Sequence, residues 1–247
     1  NPLNFVNNFS EVNRELIEDL KSEKAKPGTD RDDQVENELL NVIEQNLGKI
    51  NQHGKRADAI VKSMLQHSRA TSGQTELTDL NALCDEYLRL AYHGFRAKDK
   101  SRPDGQAAIN GVPIHIRMET DFDTSLPRIN VVPQDIGRAI LNLTSNAFYA
   151  VSQRRALDET EYEPTVTVCT KKSGDKITIS VKDNGSGIPD SIKGKIFQPF
   201  FTTKPVGQGP GLGLSLAHDI VKAHGGSLKI ETQVGDGTAF IIQFQHV

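Results

Sequence analysis

The chain has 247 residues, of which 25% are charged and 36% hydrophobic, and its formal net charge at pH 7 is -3. This composition is typical of a soluble protein with one large domain or two modest ones, and the charge favours no nucleic acid partner. The sequence has no run of about 18 apolar residues and no signal peptide, so we expect no membrane segment. Cys84 and Cys169 lie far apart, which favours free thiols in a reducing compartment over a disulfide.

Two amphipathic helices are predicted at the start of the chain. Apolar residues recur at helical spacing in residues 1–25 and again in residues 34–70, and a Pro-Gly turn signal separates the two segments. A hairpin of two helices has too little core of its own, so we expect it to pair with a second copy as a four-helix bundle. The polar break at residues 71–75 predicts one domain at 1–72 and another at 73–247.

The pattern changes to mixed α/β beyond that break. Helical periodicity predicts helices at residues 80–96 and 134–154, and the polar segment at residues 98–111 is predicted to be a loop. Alternating segments predict strands at 114–118, 165–169, 176–181, 227–232 and 238–244. We therefore expect an α+β fold, in which the helical hairpin is followed by an α/β sandwich with helices on one side of a mostly antiparallel sheet.

Two segments are rich in glycine, Asp183–Pro189 and Gly207–Leu214. Glycines at this density do not suit a packed core, but they let the backbone bend sharply and bring its N–H groups close to an oxyanion. The second segment runs directly into a predicted helix at Ser215. It is neither a Walker loop nor a Rossmann fingerprint, because the lysine and the parallel βαβ unit are missing. We interpret the two segments as a nucleotide-phosphate site.

Two further kinds of polar side chain favour the same chemistry. Asn142 and Asn146 lie one helical turn apart, with Tyr149 following, and amide oxygens on one helix edge suit a hard cation such as Mg²⁺. The alternative is that these asparagines only solvate the edge of the helix. Asp183 ends a predicted strand, where its carboxylate could accept a hydrogen bond from an exocyclic amine and select adenine, although Asp-Asn-Gly is also common as a simple turn.

The segment Phe197–Lys204 contains three phenylalanines but has neither helical nor strand periodicity. Phenylalanines usually belong to a core. In a mobile loop, however, they would act as anchors of a lid that packs over bound nucleotide, with Thr203 and Lys204 in reach of the phosphates.

Four motifs follow one another along the chain: the pair Asn142 and Asn146, the turn from Asp183, the segment from Phe197 and the glycine segment from Gly207. This order resembles the catalytic part of sensor histidine kinases of two-component systems, relatives of the gyrase-type, heat-shock-chaperone and mismatch-repair ATPases. The resemblance covers essentially the whole chain. It implies that Asn146 holds Mg²⁺, that Asp183 reads the adenine amine and that residues 197–211 form an ATP lid. The ATP-binding residues that it implies are Asn142, Asn146, Tyr149, Asp183, Gly185, Gly187, Ile188, Phe197, Thr203, Lys204, Gly207, Gly209, Gly211, Leu212 and Gly213.

Three positions qualify the resemblance. Tyr149 stands where many members have a phosphate-contacting basic residue, and Pro210 stands where threonine or a small residue is common. In the hydrolysing and clamp-forming relatives, a glutamate stands where this chain has Asn142. An amide cannot take a proton from water, so this site is expected to favour phosphoryl transfer over ATP hydrolysis.

The phosphoacceptor histidine of the family lies in a His-Glu-x-x-Asn/Thr-Pro box. Asn1 and Pro2 match the last two residues of that box, so we expect the chain to be a piece of a longer protein with the histidine just upstream. Asn1 would then help to orient water for dephosphorylating the response regulator. The chain has seven other histidines, but none has the flanking acid and proline, so we expect no autophosphorylation of this fragment.

The predicted function is that of the kinase core of a sensor histidine kinase, a cytoplasmic homodimer that stands alone or is the cytoplasmic part of a larger sensor. It would bind Mg-ATP and pass the γ-phosphoryl to a histidine and then to an aspartate on a response-regulator receiver domain. One alternative is an ATP-gated clamp, which predicts a glutamate at position 142 and a further transducer domain. The other is a catalytically silent ATP-binding and dimerisation module.

Overall fold

The computed structural model describes residues 2–28, 32–68, 73–100, 108–109, 112–113, 115–155, 162–205 and 209–245. They divide into two compact units. The first consists of Asn1–Ser68 with Thr202–Pro210, and the second of Arg69–Phe201 with Gly211–Val247. The domain boundary predicted after residue 72 stays a prediction, because residues 69–72 lie outside the described ranges.

The first unit contains two long helices, α1 (Pro2–Ala25) and α2 (Asp33–Ser68). Both follow the predicted segments to within one or two residues, because apolar side chains at helical spacing give each helix one face to bury. The start of α2 is capped by Asp32, whose Oδ1 accepts hydrogen bonds from the backbone N–H groups of Gln34 at 2.9 Å and Val35 at 3.4 Å.

The two helices pack as an antiparallel hairpin. The Phe5 ring stacks on His53 with 4.6 Å between ring centroids. Further along α1, the Nδ2 of Asn13 donates to the carbonyl oxygen of Ile43 at 3.3 Å. Residue numbers therefore rise along one helix as they fall along the other, as a hairpin requires.

The second unit is built on a five-stranded sheet with two small accessory sheets. The strand order in the main sheet is β4-β6-β7-β9-β8, and every neighbouring pair is antiparallel except β4 and β6. In chain order the elements are β1 (Glu76–Thr78), α3 (Leu80–Lys100), β2 (Ala108–Ile109), β3 (Val112–Pro113), β4 (Arg117–Phe122), β5 (Ile129–Val131), α4 (Pro133–Arg155), β6 (Thr165–Ser173), β7 (Lys176–Asp183), α5 (Asp190–Lys193), α6 (Gly213–Ala223), β8 (Ser227–Gln233) and β9 (Gly237–Gln245).

The core of this unit lies between the sheet and the helices on one of its faces. Helix α4 packs against β6, β7 and β9, and it also contacts α3 and α6. Its apolar stripe is fully buried, and alternate residues of β7 point into the same core. The predicted sandwich with a mostly antiparallel sheet is thereby confirmed. Residues that carry this core are Ile136, Ile140, Leu143, Val151, Ile177, Ile179 and Val181.

The structure differs from the sequence-based expectation at short elements. The strand predicted at 114–118 begins at Arg117 instead, although Ile116 before it is buried in the core. Helix α3 extends to Lys100, inside the segment predicted to be a loop. Strands β1 and β5 were not predicted, because three residues are too few to show a period and their partners are remote in sequence.

Candidate functional site

The carboxylate of Asp183 ends β7 in a buried position, with 3% of the residue exposed. Its Oδ1 accepts a hydrogen bond from the backbone N–H of Gly185 at 2.8 Å. Burial raises the pKa of this carboxyl to about 6, while the backbone amides of Gly185 and Thr238 partly oppose that shift. A buried acceptor that is held by backbone amides at the end of a strand suits recognition of a ligand amine.

Two glycines of the following turn are required by packing. A Cβ at Gly185 would lie 2.8 Å from the Cβ of Ala150 on α4 and 2.8 Å from Asp183 Oδ1. Gly187 has φ of +73°, and a Cβ there would overlap the carbonyl oxygen of Gln233. These glycines therefore let the turn press against α4 on one side and against the end of β8 on the other.

The turn is also hydrogen-bonded to the hairpin of β8 and β9. The backbone N–H of Ile188 donates to Thr232 Oγ1 at 2.9 Å. The backbone N–H of Gly235 donates to the carbonyl oxygen of Ser186 at 3.0 Å. The side chain of Ile188 packs against the hydrophobic core. The segment that carries the predicted base-reading residues is thus rigidly attached to the sheet.

The side chain of Asn184 has a structural role that the sequence did not indicate. Its Oδ1 accepts hydrogen bonds from the Thr165 backbone N–H at 2.8 Å and from the Tyr162 hydroxyl at 2.9 Å. Its Nδ2 donates to the carbonyl oxygen of Glu163 at 2.9 Å. These bonds tie the turn to the start of β6. An Asp-Asn-Gly motif indicates a turn, but it does not show which remote backbone groups the asparagine will bind.

Helix α4 carries the three polar residues predicted to face the nucleotide, Asn142, Asn146 and Tyr149. All three are half-buried, on the border of the apolar stripe, as the spacing predicted. A Cβ at Gly213 would lie 3.3 Å from Asn142 Oδ1, so the structure brings this glycine, near the end of the second glycine segment, next to this part of α4.

Helix α6 begins at Gly213. No side chain of the described residues caps its N-terminus by accepting a hydrogen bond from its first N–H groups. The Ser215 hydroxyl donates instead to the carbonyl oxygen of Leu212 at 3.0 Å. The first N–H groups of an α-helix lack partners within the helix and favour an anion. Just before it, Gly211 has φ of +74° and packs against the backbone of Phe200. The start of α6 is therefore a candidate phosphate site beside Asn142.

The three phenylalanines of the predicted lid differ in their surroundings. Phe197 packs against the core, with its ring centroid 5.5 Å from that of His218 and 6.4 Å from that of Phe240. Phe201 also packs against the core. Phe200 is 43% exposed and has φ of +68°, which is rare for a bulky side chain. Two rings thus anchor the segment, whereas its role as a lid stays a prediction.

The remaining predicted site residues do not belong to the described part of the second unit. Thr203, Lys204 and Gly209 belong to the first unit, where the backbone N–H of Lys204 donates to Thr202 Oγ1 at 3.1 Å. Gly207 and Asn1 lie outside the described residues. The roles inferred for these five positions stay predictions.

One of the seven histidines has a structural role in this unit. The Nε2 of His224 accepts from the backbone N–H of Val132 at 3.2 Å, and its Nδ1 lies 2.9 Å from the carbonyl oxygen of Ile220. Both ring nitrogens are therefore used to hold the end of α6 against the start of α4.

Across the described ranges, no helix is long and apolar enough to cross a membrane, and no group of three or more His, Cys, Asp or Glu side chains could hold a metal ion.

Comparison with known proteins identifies relatives of this chain. Residues 131–247 match the family model described as histidine kinase-, DNA gyrase B-, and HSP90-like ATPase. The chain is 29% identical over 187 residues to the sensor histidine kinase ZraS of Escherichia coli K12, which is 76% of this chain and 34% of that protein. It is 30% identical over 210 residues to the histidine-protein kinase AtoS of the same strain, which is 85% of this chain and 29% of that protein.

A solved structure shares the fold. The crystal structure of full-length ShkA in complex with AMPPNP matches all of this chain and 47% of that chain, with a TM-score of 0.54 and 17% identity. The chain spans about a third of the length of the curated relatives it matches, at 34% for ZraS and 29% for AtoS.

Proposed function

We propose that this chain is the kinase core of a two-component sensor histidine kinase. The proposal starts from the match of residues 131–247 to the family of histidine kinase-, DNA gyrase B- and HSP90-like ATPases. The observation that carries the proposal is the buried Asp183 carboxylate, held by the Gly185 amide at the end of β7. The same domain offers the start of α6 beside Asn142, where no side chain of the described residues caps the helix. One group would read the base and the other would face the phosphates.

The proposed roles follow from the chemistry of each group. The Asp183 carboxylate accepts a hydrogen bond from the adenine amine, which guanine does not offer at that position. The N–H groups at the start of α6 face phosphate oxygens. The amide oxygen of Asn146 would hold Mg²⁺, a cation that takes few protein ligands and would neutralise phosphate charge.

Phosphoryl transfer is favoured over hydrolysis by Asn142. An amide cannot act as a general base toward water, so ATP would stay intact until a better nucleophile arrives. That nucleophile would be a histidine, and the phosphoryl would pass from it to an aspartate of a response-regulator receiver domain. We place this reaction in the cytoplasm, where ATP is available. An ATP-gated clamp would instead need a glutamate at position 142.

Asn146→Ala is expected to weaken binding of Mg-ATP analogues on the order of tenfold, because a metal ligand is lost. Calorimetry with a non-hydrolysable analogue, with and without Mg²⁺, measures this change. Affinity without Mg²⁺ should remain nearly constant. The matched control is Ser145→Ala, since this neighbour on α4 is exposed. Equal affinities of wild type and Asn146→Ala in the presence of Mg²⁺ would rule out the metal role.

The same variant tests transfer. A separately produced helical hairpin that contains a His-Glu-x-x-Asn-Pro box should gain acid-labile label from radiolabelled ATP in the presence of the wild-type chain, and much less with Asn146→Ala. The chain itself should stay unlabelled. Absence of transfer by a chain that binds Mg-ATP would favour the silent module, and label on the chain would show that one of its own histidines accepts.

The helical hairpin is proposed to form the homodimer. Many of its apolar side chains are more than a third exposed in the single chain, a surface that a four-helix bundle would cover. They include Leu3, Phe5, Val12, Ile17, Leu40, Val42, Leu47 and Val61.

Leu47→Glu is therefore expected to shift the protein from dimer to monomer in light scattering, because it places a charge on the face that a second copy would bury. Leu47 is 55% exposed. The control is Leu90→Glu, on α3 of the second unit, where the leucine is 51% exposed. This control should remain a dimer. A wild-type chain that is monomeric at high concentration would contradict the proposal.

A further inference from the structure

Arg154, on the last turn of α4, binds backbone oxygens of two separate turns. Its Nη1 lies 3.0 Å from the carbonyl oxygen of Asn184 and 3.3 Å from that of Gly185. The same nitrogen lies 2.5 Å from the carbonyl oxygen of Gly235, in the turn between β8 and β9. One guanidinium thus connects α4 with both segments that surround Asp183.

The guanidinium is also held from one side by an aromatic ring. Its Cζ lies 4.6 Å from the centroid of the Tyr162 ring, which is the distance of a cation–π contact. The hydroxyl of Tyr162 donates to Asn184 Oδ1 at 2.9 Å. Because the guanidinium is planar and its donors have fixed directions, a ring stacked on it restricts where those donors lie.

The peptide group between Asn184 and Gly185 is held at both ends. Its carbonyl oxygen accepts from Arg154, and its N–H donates to Asp183 Oδ1 at 2.8 Å. A peptide group is planar, so fixing its oxygen also fixes the direction of its N–H. A charged donor on the oxygen further polarises the group and strengthens the N–H as a donor. Arg154 is therefore connected through this peptide to the Asp183 carboxylate, which the backbone amide of Thr238 also holds.

We propose that Arg154 is a positioning residue for base recognition, which sets the preference for adenine over guanine by orienting Asp183 through the 184–185 peptide. The inference rests on the proposed nucleotide-binding function. It gives Arg154 a different role from that of a phosphate-binding arginine, because the bonds from its Nη1 go to backbone oxygens of the two turns. Arg154 also connects the turn next to Asp183 with α4, the helix that carries Asn142 and Asn146.

The test is the ratio of the dissociation constants for GDP and ADP, measured by calorimetry at constant Mg²⁺. Both ligands have the same phosphates, so a general loss of stability or of phosphate binding changes both constants and leaves their ratio unchanged. Arg154→Met is expected to lower the ratio on the order of tenfold, because charged hydrogen bonds are lost. Arg154→Lys should restore part of it, since an ammonium group keeps the charge but lacks the planar group that stacks on the Tyr162 ring.

Arg89→Met is the matched control. This arginine of α3 donates from Nε to Asp85 Oδ2 at 2.8 Å, so the variant loses a charged hydrogen bond on a helix to which no nucleotide-binding residue is assigned. Its ratio should equal that of wild type. A folded Arg154→Met with an unchanged ratio overturns the inference. If that variant does not fold, Arg154→Gln, which also removes the charge but keeps a polar side chain, decides by the same criterion. A wild-type chain with no preference for ADP would instead contradict the proposed function itself.

Discussion

Asp183→Asn is expected to raise the dissociation constant of an ATP analogue on the order of a hundredfold, a larger loss of binding than that expected for Asn146→Ala. The carboxylate is 3% exposed and already accepts the Gly185 amide, so an asparagine would have to turn its NH2 group toward either that amide or the ligand amine. Either arrangement brings two donors together in a buried site, and such mismatches are costly.

Calorimetry on Asp183→Asn measures this loss. Asp236→Asn is the control, because it makes the same chemical change at an exposed position between β8 and β9. It should bind like wild type. If Asp183→Asn binds within about threefold of wild type, the base-reading role of Asp183 is wrong, since one lost charged hydrogen bond alone exceeds that factor.

The pKa of Asp183 makes the same interaction depend on pH. Since burial raises this pKa to about 6, part of the carboxyl is protonated near pH 6 and cannot accept at both oxygens. Affinity of wild type should therefore fall as pH decreases through 6, and binding at that pH should release protons. Calorimetry in buffers of different ionisation enthalpy measures the release. Asp183→Asn should lack the part that Asp183 contributes, while release from the phosphates stays common to both proteins.

The raised pKa of Asp183 also affects the stability of the folded protein, which has to be separated from the loss of binding in Asp183→Asn. The folded pKa of Asp183 lies above its usual value of 3.8, so the folded state binds more protons than the unfolded state between these values. Its contribution to the free energy of unfolding is thus most favourable at low pH and is lost as pH rises through 6. Asp183→Asn removes a buried charge at neutral pH but also changes the acceptor of the Gly185 and Thr238 amides, so urea unfolding of both proteins without nucleotide shows whether the weak binding comes from lost stability.

Phe148→Ala is expected to lower the free energy of unfolding of the second unit by about 3–5 kcal/mol. The ring is fully buried, with its centroid 5.7 Å from that of Tyr92 and 5.9 Å from that of Phe95. Its removal leaves a cavity between α3 and α4. Because α4 carries Asn142 and Asn146, the folded fraction should also bind nucleotide less tightly.

Tyrosine fluorescence during urea unfolding measures the stability of this unit alone. The chain has no tryptophan and four tyrosines, Tyr87, Tyr92, Tyr149 and Tyr162, all of which belong to the second unit. Phe200→Ala is the matched control, since that ring is 43% exposed. It should change the unfolding free energy by less than about 1 kcal/mol. A loss for Phe148→Ala as small as that of the control would contradict the position of Phe148 in the core.

Local sequence patterns predicted most of the architecture. The apolar period of residues 34–70 predicted α2, and the alternation in residues 165–181 predicted the hairpin of β6 and β7. Both patterns succeed because they reflect contacts between residues that are close along the chain. Strands β1 and β5 were missed, since Glu76 pairs with Val131 and only the folded chain brings them together.

The candidate site likewise has features that the local sequence indicates and features that only the folded chain shows. The sequence by itself determined which groups are proposed for nucleotide chemistry, because Asp183, the asparagines of α4 and the glycine segments are recognisable by residue type and order. Only the tertiary structure decided how those groups are held. Arg154 is 30 residues from Asn184 and 81 residues from Gly235, and Gly185 is pressed against Ala150 of a different element. No local pattern encodes such pairs, because they form only when α4 packs on the sheet and brings both turns to its end.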